Sequence, residues 1–561
     1  MNKKVKIFIF FIFSQFIFKF VDSAENSFFK MNPEVSTEMA SETNKVKVGK
    51  EIVVVTANQY ATDAAFEILK SGGNAIDAAV ATQLVLGLVE PQSSGIGGGS
   101  FALYYDKKQK KIFNYDGRER APKDTNESIF LDKEGKPKKF FDAVIGGQSV
   151  GVPGTLKMLY KMQSEKGKLQ WRELFEPALK LSFNGFYPSP RLIKSLKRDK
   201  YIWTSLKNKN PFINVLKSPN SLITNFEYGE TLKNLSKDHN YFYNGKLSED
   251  IVKIIRNSKK NPGFMRKIDL SSYQSQVSKA ICKDFTNFSI CGPNLPSSGG
   301  ILILQAITIF ESLNQDQRED LNNILEILNY IYKTREILGD PEFEMIPIKK
   351  LTNKTEILKS FNNFKKSKRI SKKLDENFYS TSHFSILDSM GNVISMTSSI
   401  ENSFGSRLFV KGFFLNNQLT DFEFSPKKNG ISQKNKAAGG KRPLSSMTPI
   451  IVLDKEKNFL FSTGSPGGTA IISYVIKTII DVLYFNKDAV KSINEGNYIK
   501  KNDVIYLEKK KFDIKKIKKK IKNYNKIRQL NLTSGLTIIQ KRKYDYLGVA
   551  DPRRDGTVQA K

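Results

Sequence analysis

The chain has 561 residues but only two histidines, His239 and His383. That leaves almost nothing for a His-rich metal centre or for repeated imidazole acid–base chemistry, so neither a metal nor a histidine base is expected. Cysteine is as scarce, Cys282 and Cys291 alone, which excludes a disulfide-dense scaffold. The 36 glycines are far too few for a collagen-like repeat, and a mean hydropathy of −0.38 excludes a polytopic membrane protein. Acidic residues are also short: 56 Asp and Glu against 90 Lys and Arg give a net charge of +34. Such an excess invites a nucleic-acid reading. The lysines are scattered along the whole length, however, beside abundant Asn, Ile and Phe, so they read as compositional drift on solvated faces, with no nucleic-acid partner. What is present, 39% hydrophobic and 11% aromatic residues, suffices for a large core. Length alone would allow about four domains.

Lys3, Lys4 and Lys6 precede an apolar run from Ile7 to Phe18, followed by Val21-Asp22-Ser23-Ala24. A basic start, an apolar run of about 12 residues and small residues at a cut site predict a signal peptide over 1–23. A membrane span needs roughly 20 apolar residues. An uncleaved anchor is the competing reading, and no later segment is long and apolar enough to span. Export, to a periplasm or the medium, makes the cysteines readable, because disulfides persist in oxidising compartments. If Thr286-Asn287 is a two-residue hairpin turn, Phe285 faces Phe288 and Cys282 faces Cys291 in a non-hydrogen-bonded pair close enough for a cross-strand bridge. Two free buried thiols are the alternative.

Residues 24–50 are polar and are expected to be a flexible leader; from Glu51 the text becomes globular. Ile52–Val55 reads as a buried strand, and 62–90 as helices interrupted at Gly72-Gly73-Asn74. The run Pro91–Ser100 is rich in glycine but lacks the Gly-Lys-Ser/Thr ending of a phosphate loop and leads into a strand, so it reads as a tight turn with close backbone packing. Residues 190–270 show weak periodicity, and 345–380 read as an exposed connector. At Thr381 strand-like text resumes, with a hairpin over Thr381–Thr397 turning at Ser389–Asn392. In the basic stretch Lys509–Lys522, Ile514, Ile517 and Ile521 form one apolar face, which predicts an amphipathic helix rather than a nucleic-acid patch.

A threonine hydroxyl is a poor nucleophile without a base. If the chain is cut before Thr381, that residue gains an α-amine with an ordinary pKa of about 7.7–8.0, a base carried by the nucleophile itself. The motifs around it are Gly72–Ala79, Gly95–Phe101, Asp116-Gly117-Arg118-Glu119, Gly151–Thr155, Leu295–Gly300, Thr381-Ser382-His383, Leu415–Phe422, Lys441–Pro449, Thr463–Gly468 and Asp551–Gly556. In this order they resemble the gamma-glutamyltranspeptidases, N-terminal-nucleophile hydrolases, from about Glu51 to Asp555.

The resemblance implies an α/β fold, a four-layer αββα sandwich formed jointly by a large subunit (51–380) and a small subunit (381–561) cut from one precursor between Ser380 and Thr381. It implies Thr381 as nucleophile of self-cleavage and of catalysis, Ser399 as its support, and the Gly467 and Gly468 N–H groups as oxyanion hole. Arg118, Ser445 and Ser446 would hold the substrate α-carboxylate; Asp421, Gln418 and Glu401 would hold its α-ammonium. The reaction implied is transfer of the γ-glutamyl group of glutathione or related compounds to water, an amino acid or a dipeptide, with no cofactor. The chain departs from the family pattern at Glu401, where many relatives carry Asn, and at Ser399, where Thr is usual. No aromatic gate stands in Ser425–Gly440, so the lid-equivalent loop is expected to leave the site open. His383 is expected to orient a strand. An acylase for cephalosporin-type side chains on the same fold and a non-catalytic basic binding protein are the alternatives.

Overall fold

The computed structural model describes residues 45–199, 201–202, 210–366, 380–501, 504–521 and 526–561. The predicted signal peptide, most of the predicted leader, and residues 367–379 of the predicted connector lie outside the described residues. The strands of the central sandwich are β1 (Val46–Gly49), β2 (Val53–Thr56), β3 (Gly99–Asp106), β4 (Lys111–Gly117), β5 (Gln276–Lys279), β6 (Ile281–Asp284) and β7 (Phe288–Gly292). They continue with β8 (Ser380–Leu387), β9 (Val393–Glu401), β10 (Ile450–Asp454), β11 (Phe459–Gly464), β12 (Thr537–Lys541), β13 (Tyr546–Ala550) and β14 (Thr557–Ala560). Among the described residues they pair antiparallel into two seven-stranded sheets, ordered β14-β2-β8-β9-β3-β4-β5 and β1-β13-β12-β11-β10-β7-β6.

The side-chain period of two decides what each face does. In β8, Phe384 and Ile386 point outward into a core shared with helices α1 (Gln59–Lys70) and α2 (Ala75–Val89). Helix α2 is apolar all round and buried all round, and is started by a capping box between Asn74 and Asp77. The second sheet turns Ile290, Val452, Phe461 and Ile538 toward helices α3 (Gly299–Glu311), α4 (Leu321–Arg335) and α5 (Ile471–Ile479). Between the sheets lies a third apolar layer that includes Val53, Val55, Leu387, Val393, Ile451 and Ile539. The result is helices, sheet, sheet, helices.

Thr381, His383 and Ser385 point inward, between the sheets, as does Ser399 opposite Thr381. The interlayer is polar here: Ser385 bonds Thr537 of the facing sheet (3.1 Å) and Ser395 donates to the Thr463 carbonyl (3.4 Å). The glycine run before β3 permits contact that no side chain would allow, since a Cβ at Gly98 would collide with the Ser399 carbonyl oxygen.

The folded chain begins earlier than its polarity indicated. Val46–Gly49, inside the predicted flexible leader, pairs with Tyr546–Val549, and Lys45 Nζ donates to the carbonyls of Arg554 (2.6 Å) and Gly556 (2.5 Å). A four-residue edge strand among polar residues carries too little pattern to read. The predicted exposed connector is also corrected: it contains helices Ile348–Thr352 and Lys354–Lys366, with Ile357 and Phe361 buried on one face at i, i+4. In the weakly periodic 190–270 region, helices Pro190–Arg198, Phe226–Lys237 and Lys246–Arg256 bury their apolar faces in the first core. Helix Ile514–Lys520 packs Ile514 and Ile517 against the second core. Cys282 and Cys291 stand directly opposite each other in the β6–β7 hairpin, Cα atoms 4.1 Å apart, joined by a disulfide; Phe285 N–H donates to the Phe288 carbonyl (2.8 Å) at its turn. No helix among the described residues is long and apolar enough to cross a membrane.

Candidate active site

A cleft of about 600 Å³ opens at the end of β8 and β9, and Thr381, Ser399, Glu401, Gln418, Asp421, Ser445, Ser446 and Gly468 all border it. Five of these come from three separated loops, which is why only an ordered set of motifs, and no single one, identifies the site. The register of β8 against β9 shifts between Ser380 and Thr381, so that Ser380 faces Glu401 while Thr381 faces Ser399. Ile400 is the extra residue of this bulge, and Glu401 follows it at φ +76°, a left-handed backbone that re-aims its side chain.

The hydroxyl protons can be assigned. Ser399 Oγ accepts from the Glu401 N–H (2.9 Å) and donates to the Ser380 carbonyl (2.8 Å). Its single proton is therefore used, and in its 3.1 Å bond to Thr381 Oγ1 the threonine is the donor. The hydroxyl of Thr381 thus lies beside a group that simultaneously polarises the carbonyl preceding it. On the other side, Arg554 Nη1 approaches the Thr381 carbonyl at 3.4 Å and Nη2 donates to the Thr533 carbonyl at 3.1 Å; burial pushes this guanidinium down to about 9.

His383, two residues on, is fully buried, bonded through Nδ1 to Thr397 Oγ1 at 2.8 Å, and pushed down to about 3 by burial. It is a neutral strand residue packed over Gly464, away from the cleft.

Three of the predicted site residues bordering the cleft each have a polar atom buried without a hydrogen-bond partner, Glu401 Oε1, Gln418 Oε1 and Ser446 Oγ, as does Arg335 Nε, which the sequence did not single out. Of the first three, two are acceptors and one is a hydroxyl, and buried polar atoms without partners are costly unless a ligand completes them. The other Glu401 oxygen accepts from Asn417 Nδ2. Burial first, and the neighbouring Asp421 second, hold the Glu401 carboxyl well above the usual carboxylate range, against the opposing pull of Asn417, Arg407 and Arg118.

Arg118 lies beneath the cleft rather than on its wall, fully buried. Its Nη2 donates to Asp421 Oδ2 (2.6 Å) and the Leu444 carbonyl (3.3 Å), Nε to the Pro443 carbonyl (2.9 Å), and Nη1 to Glu119 Oε2 (3.4 Å). Asp421 also accepts from Gln418 Nε2 (2.6 Å). The arginine and the aspartate assigned by resemblance to opposite ends of a substrate are therefore paired with each other here. Glu119, pushed up to about 8 mainly by burial, is a member of this cluster that the sequence reading passed over. Its adjacency to Arg118 in the Asp116–Glu119 motif was the available signal.

Ser445 is fixed through its backbone, N–H to the Pro296 carbonyl (2.8 Å) and carbonyl to the Ser298 N–H and hydroxyl (2.9 and 2.7 Å). Gly467 and Gly468 take φ of +131° and +57° and lead through a 3-10 turn into α5, presenting the N–H groups that open a helix; Gly468 borders the cleft and Gly467 does not. Residues 425–440 carry no aromatic, but Phe422 and Phe424 just before them line the cleft, and Phe424 stacks on Phe130 at 4.6 Å. The short hairpin Lys427–Lys428 with Ile431–Ser432 forms part of the rim.

The gamma-glutamyltranspeptidase family model matches residues 61–561. The glutathione hydrolase proenzyme of Bacillus subtilis (strain 168) is 34% identical over 487 residues, 81% of each chain. That of Escherichia coli (strain K12) is 30% identical over 488 residues, 80% of this chain and 81% of its own. Among solved structures, the cephalosporin acylase from Bacillus halodurans superposes with a TM-score of 0.80 at 20% identity, covering 94% of this chain and 98% of that one, which shows a shared fold. The Helicobacter pylori gamma-glutamyltranspeptidase gives a TM-score of 0.50 at 30% identity, over 55% of this chain and 90% of that one.

Proposed function

The chain belongs to the gamma-glutamyltranspeptidase family, and on that premise we propose that it cuts itself before Thr381 and then hydrolyses glutathione and transfers γ-glutamyl groups. The observation that carries the reading is the trio of unpartnered polar atoms: Glu401 Oε1 and Gln418 Oε1 as acceptors, Ser446 Oγ as a donor, around one cleft with Thr381. A γ-glutamyl group ends in an α-ammonium and an α-carboxylate, which complete those acceptors and that donor and orient the distant γ-carbonyl.

In the precursor, Thr381 Oγ1 attacks the Ser380 carbonyl carbon, the C–N bond to Thr381 breaks, and its nitrogen takes the proton. The resulting ester between Ser380 and the Thr381 hydroxyl is hydrolysed by water, leaving a Ser380 carboxylate and a free Thr381 amine and hydroxyl. Ser399, donating to the Ser380 carbonyl, favours the first step. In the mature protein the α-amine accepts the hydroxyl proton as Oγ1 attacks the γ-carbonyl, and the turn at Gly467 and Gly468, of which Gly468 borders the cleft, would supply N–H groups to the developing oxyanion. The leaving amine takes the proton, and water or the amine of an amino acid or dipeptide then attacks the acyl-enzyme.

Mass spectrometry of the purified protein tests this: a fragment beginning at Thr381 is expected, with Thr381→Ala whole and unable to release glutamate from glutathione. An intact wild-type chain overturns it. The acylase reading predicts faster hydrolysis of a glutaryl amide than of glutathione; the unpartnered acceptors of Glu401 and Gln418 oppose it, because a glutaryl chain brings no ammonium. Export with removal of residues 1–23 belongs to the same proposal, supported by the Cys282–Cys291 bridge, and the first residue of the large fragment tests it.

A further inference from the structure

Ser380, the residue on the departing side of the proposed cut, is fully buried and held at both ends. Its carbonyl accepts from Ser399, as described. Its hydroxyl donates to Ser93 Oγ (3.1 Å) and accepts from Arg191 Nη2 (3.4 Å). Ser93 Oγ donates onward to Glu90 Oε2 (3.3 Å), and Arg191 Nη1 reaches both Ser93 Oγ (2.7 Å) and Glu90 Oε2 (2.5 Å). The Arg191–Glu90 ion pair is 3% and 2% exposed. It is anchored by its surroundings: Gln92 Nε2 donates to Glu90 Oε2 (2.9 Å), and the Arg191 N–H donates to Asp555 (3.2 Å). The carbonyl of Ser93 also accepts from the N–H of Ile400, the extra residue of the bulge (3.2 Å). Ser93 therefore grips both strands where their register slips, one with its hydroxyl and one with its backbone.

Neither Glu90, Ser93 nor Arg191 borders the cleft that would hold a donor. The ion pair instead acts on the residue whose carbonyl the proposed cut attacks. We propose that Glu90, Arg191 and Ser93 form a positioning clamp for self-cleavage, which holds Ser380 so that its carbonyl meets the Thr381 hydroxyl and which is dispensable once the bond is broken. This rests on the reading that the chain cuts before Thr381.

The test uses full-length precursor, following the fraction cut against time on gels and measuring kcat and KM for glutathione per cut molecule. Ser93→Ala and Ser380→Ala each remove one hydroxyl from the chain of bonds and are expected to slow cutting roughly tenfold, the weight of one buried hydrogen bond. Ser380→Thr, which keeps the hydroxyl, restores the rate, and Arg191→Lys cuts faster than Arg191→Gln. Cut Ser93→Ala and Arg191→Lys keep wild-type kcat and KM. Cutting at the wild-type rate in both Ser93→Ala and Ser380→Ala overturns the clamp, as does a fall in kcat per cut molecule that matches the fall in cutting. A wild-type chain that never cuts defeats the cleavage reading itself, a separate and visible result.

Discussion

At the scale of single residues the site is governed by what is left unsatisfied. Glu401 keeps one oxygen on Asn417 and the other without a partner, in surroundings that raise its carboxyl well above the usual carboxylate range, burial first and Asp421 second. Glu401→Gln preserves the shape but removes the charge that an ammonium would engage. Loss of a charge-assisted bond of about 1.5–3 kcal/mol raises KM for glutathione roughly 10- to 100-fold, with cleavage before Thr381 unaffected; steady-state kinetics on the cut protein check this. His383 gives a pH signature. Its imidazole titrates near 6.5 when unfolded and near 3 when folded, so the unfolded chain binds the extra proton between those values. The stability it supports is complete above pH 6.5 and is lost as pH falls toward 3, about 2 kcal/mol of it by pH 5. Urea denaturation at pH 8 and pH 5 should therefore show His383→Gln losing about 2 kcal/mol less than wild type between the two.

Among the secondary-structure elements, the β6–β7 hairpin is the clearest case where local spacing decides structure. A two-residue turn at Thr286-Asn287 places the cysteines opposite each other, and both the turn and the pairing are present. The loop they close is short, so the chain-entropy model credits the bridge with about 2–3 kcal/mol. Cys282→Ser with Cys291→Ser lowers the melting temperature in calorimetry while leaving kcat and KM as they were, because neither cysteine borders the cleft. Legibility followed the same logic elsewhere. The hairpin β8–β9, helix α2 and the glycine turn were readable because a run of apolar or punctuating residues suffices to define them. β1 and the helices at Ile348–Thr352 and Lys354–Lys366 were not, because their few apolar residues sit among lysines and only packing shows which face is covered. The site residues were legible only as an ordered series. Their pairing was not: nothing local says that Arg118 bonds Asp421, 303 positions away, or that Arg191 reaches Glu90 and Ser380.

Across the whole molecule the two proposed subunits are interleaved. In the first sheet β8 of the small piece lies between β2 of the large piece and β9 of its own, and β14 covers the far side of β2; in the second, β13 lies beside β1. Separating the pieces therefore tears ladders in both sheets, and unfolding and dissociation become one event. The melting temperature of the cut protein should fall with dilution, by about 1–2 °C per tenfold for an entropy of unfolding of this size, whereas uncut Thr381→Ala melts independently of concentration. Scanning calorimetry over two decades of concentration distinguishes the two.

Arg554 reaches the Thr381 carbonyl from near the end of the chain, and Lys45 grips the loop that carries it. The proposed scissile region is thus built from stretches far apart in the sequence, and it is complete only when the segment after Ala550 has folded against Lys45 and Thr381. The proposed cut would then certify that these distant segments have come together. A chain truncated after Ala550, translated in vitro, should accumulate uncut while the full-length chain is processed, and a gel of the two products would read the certificate directly.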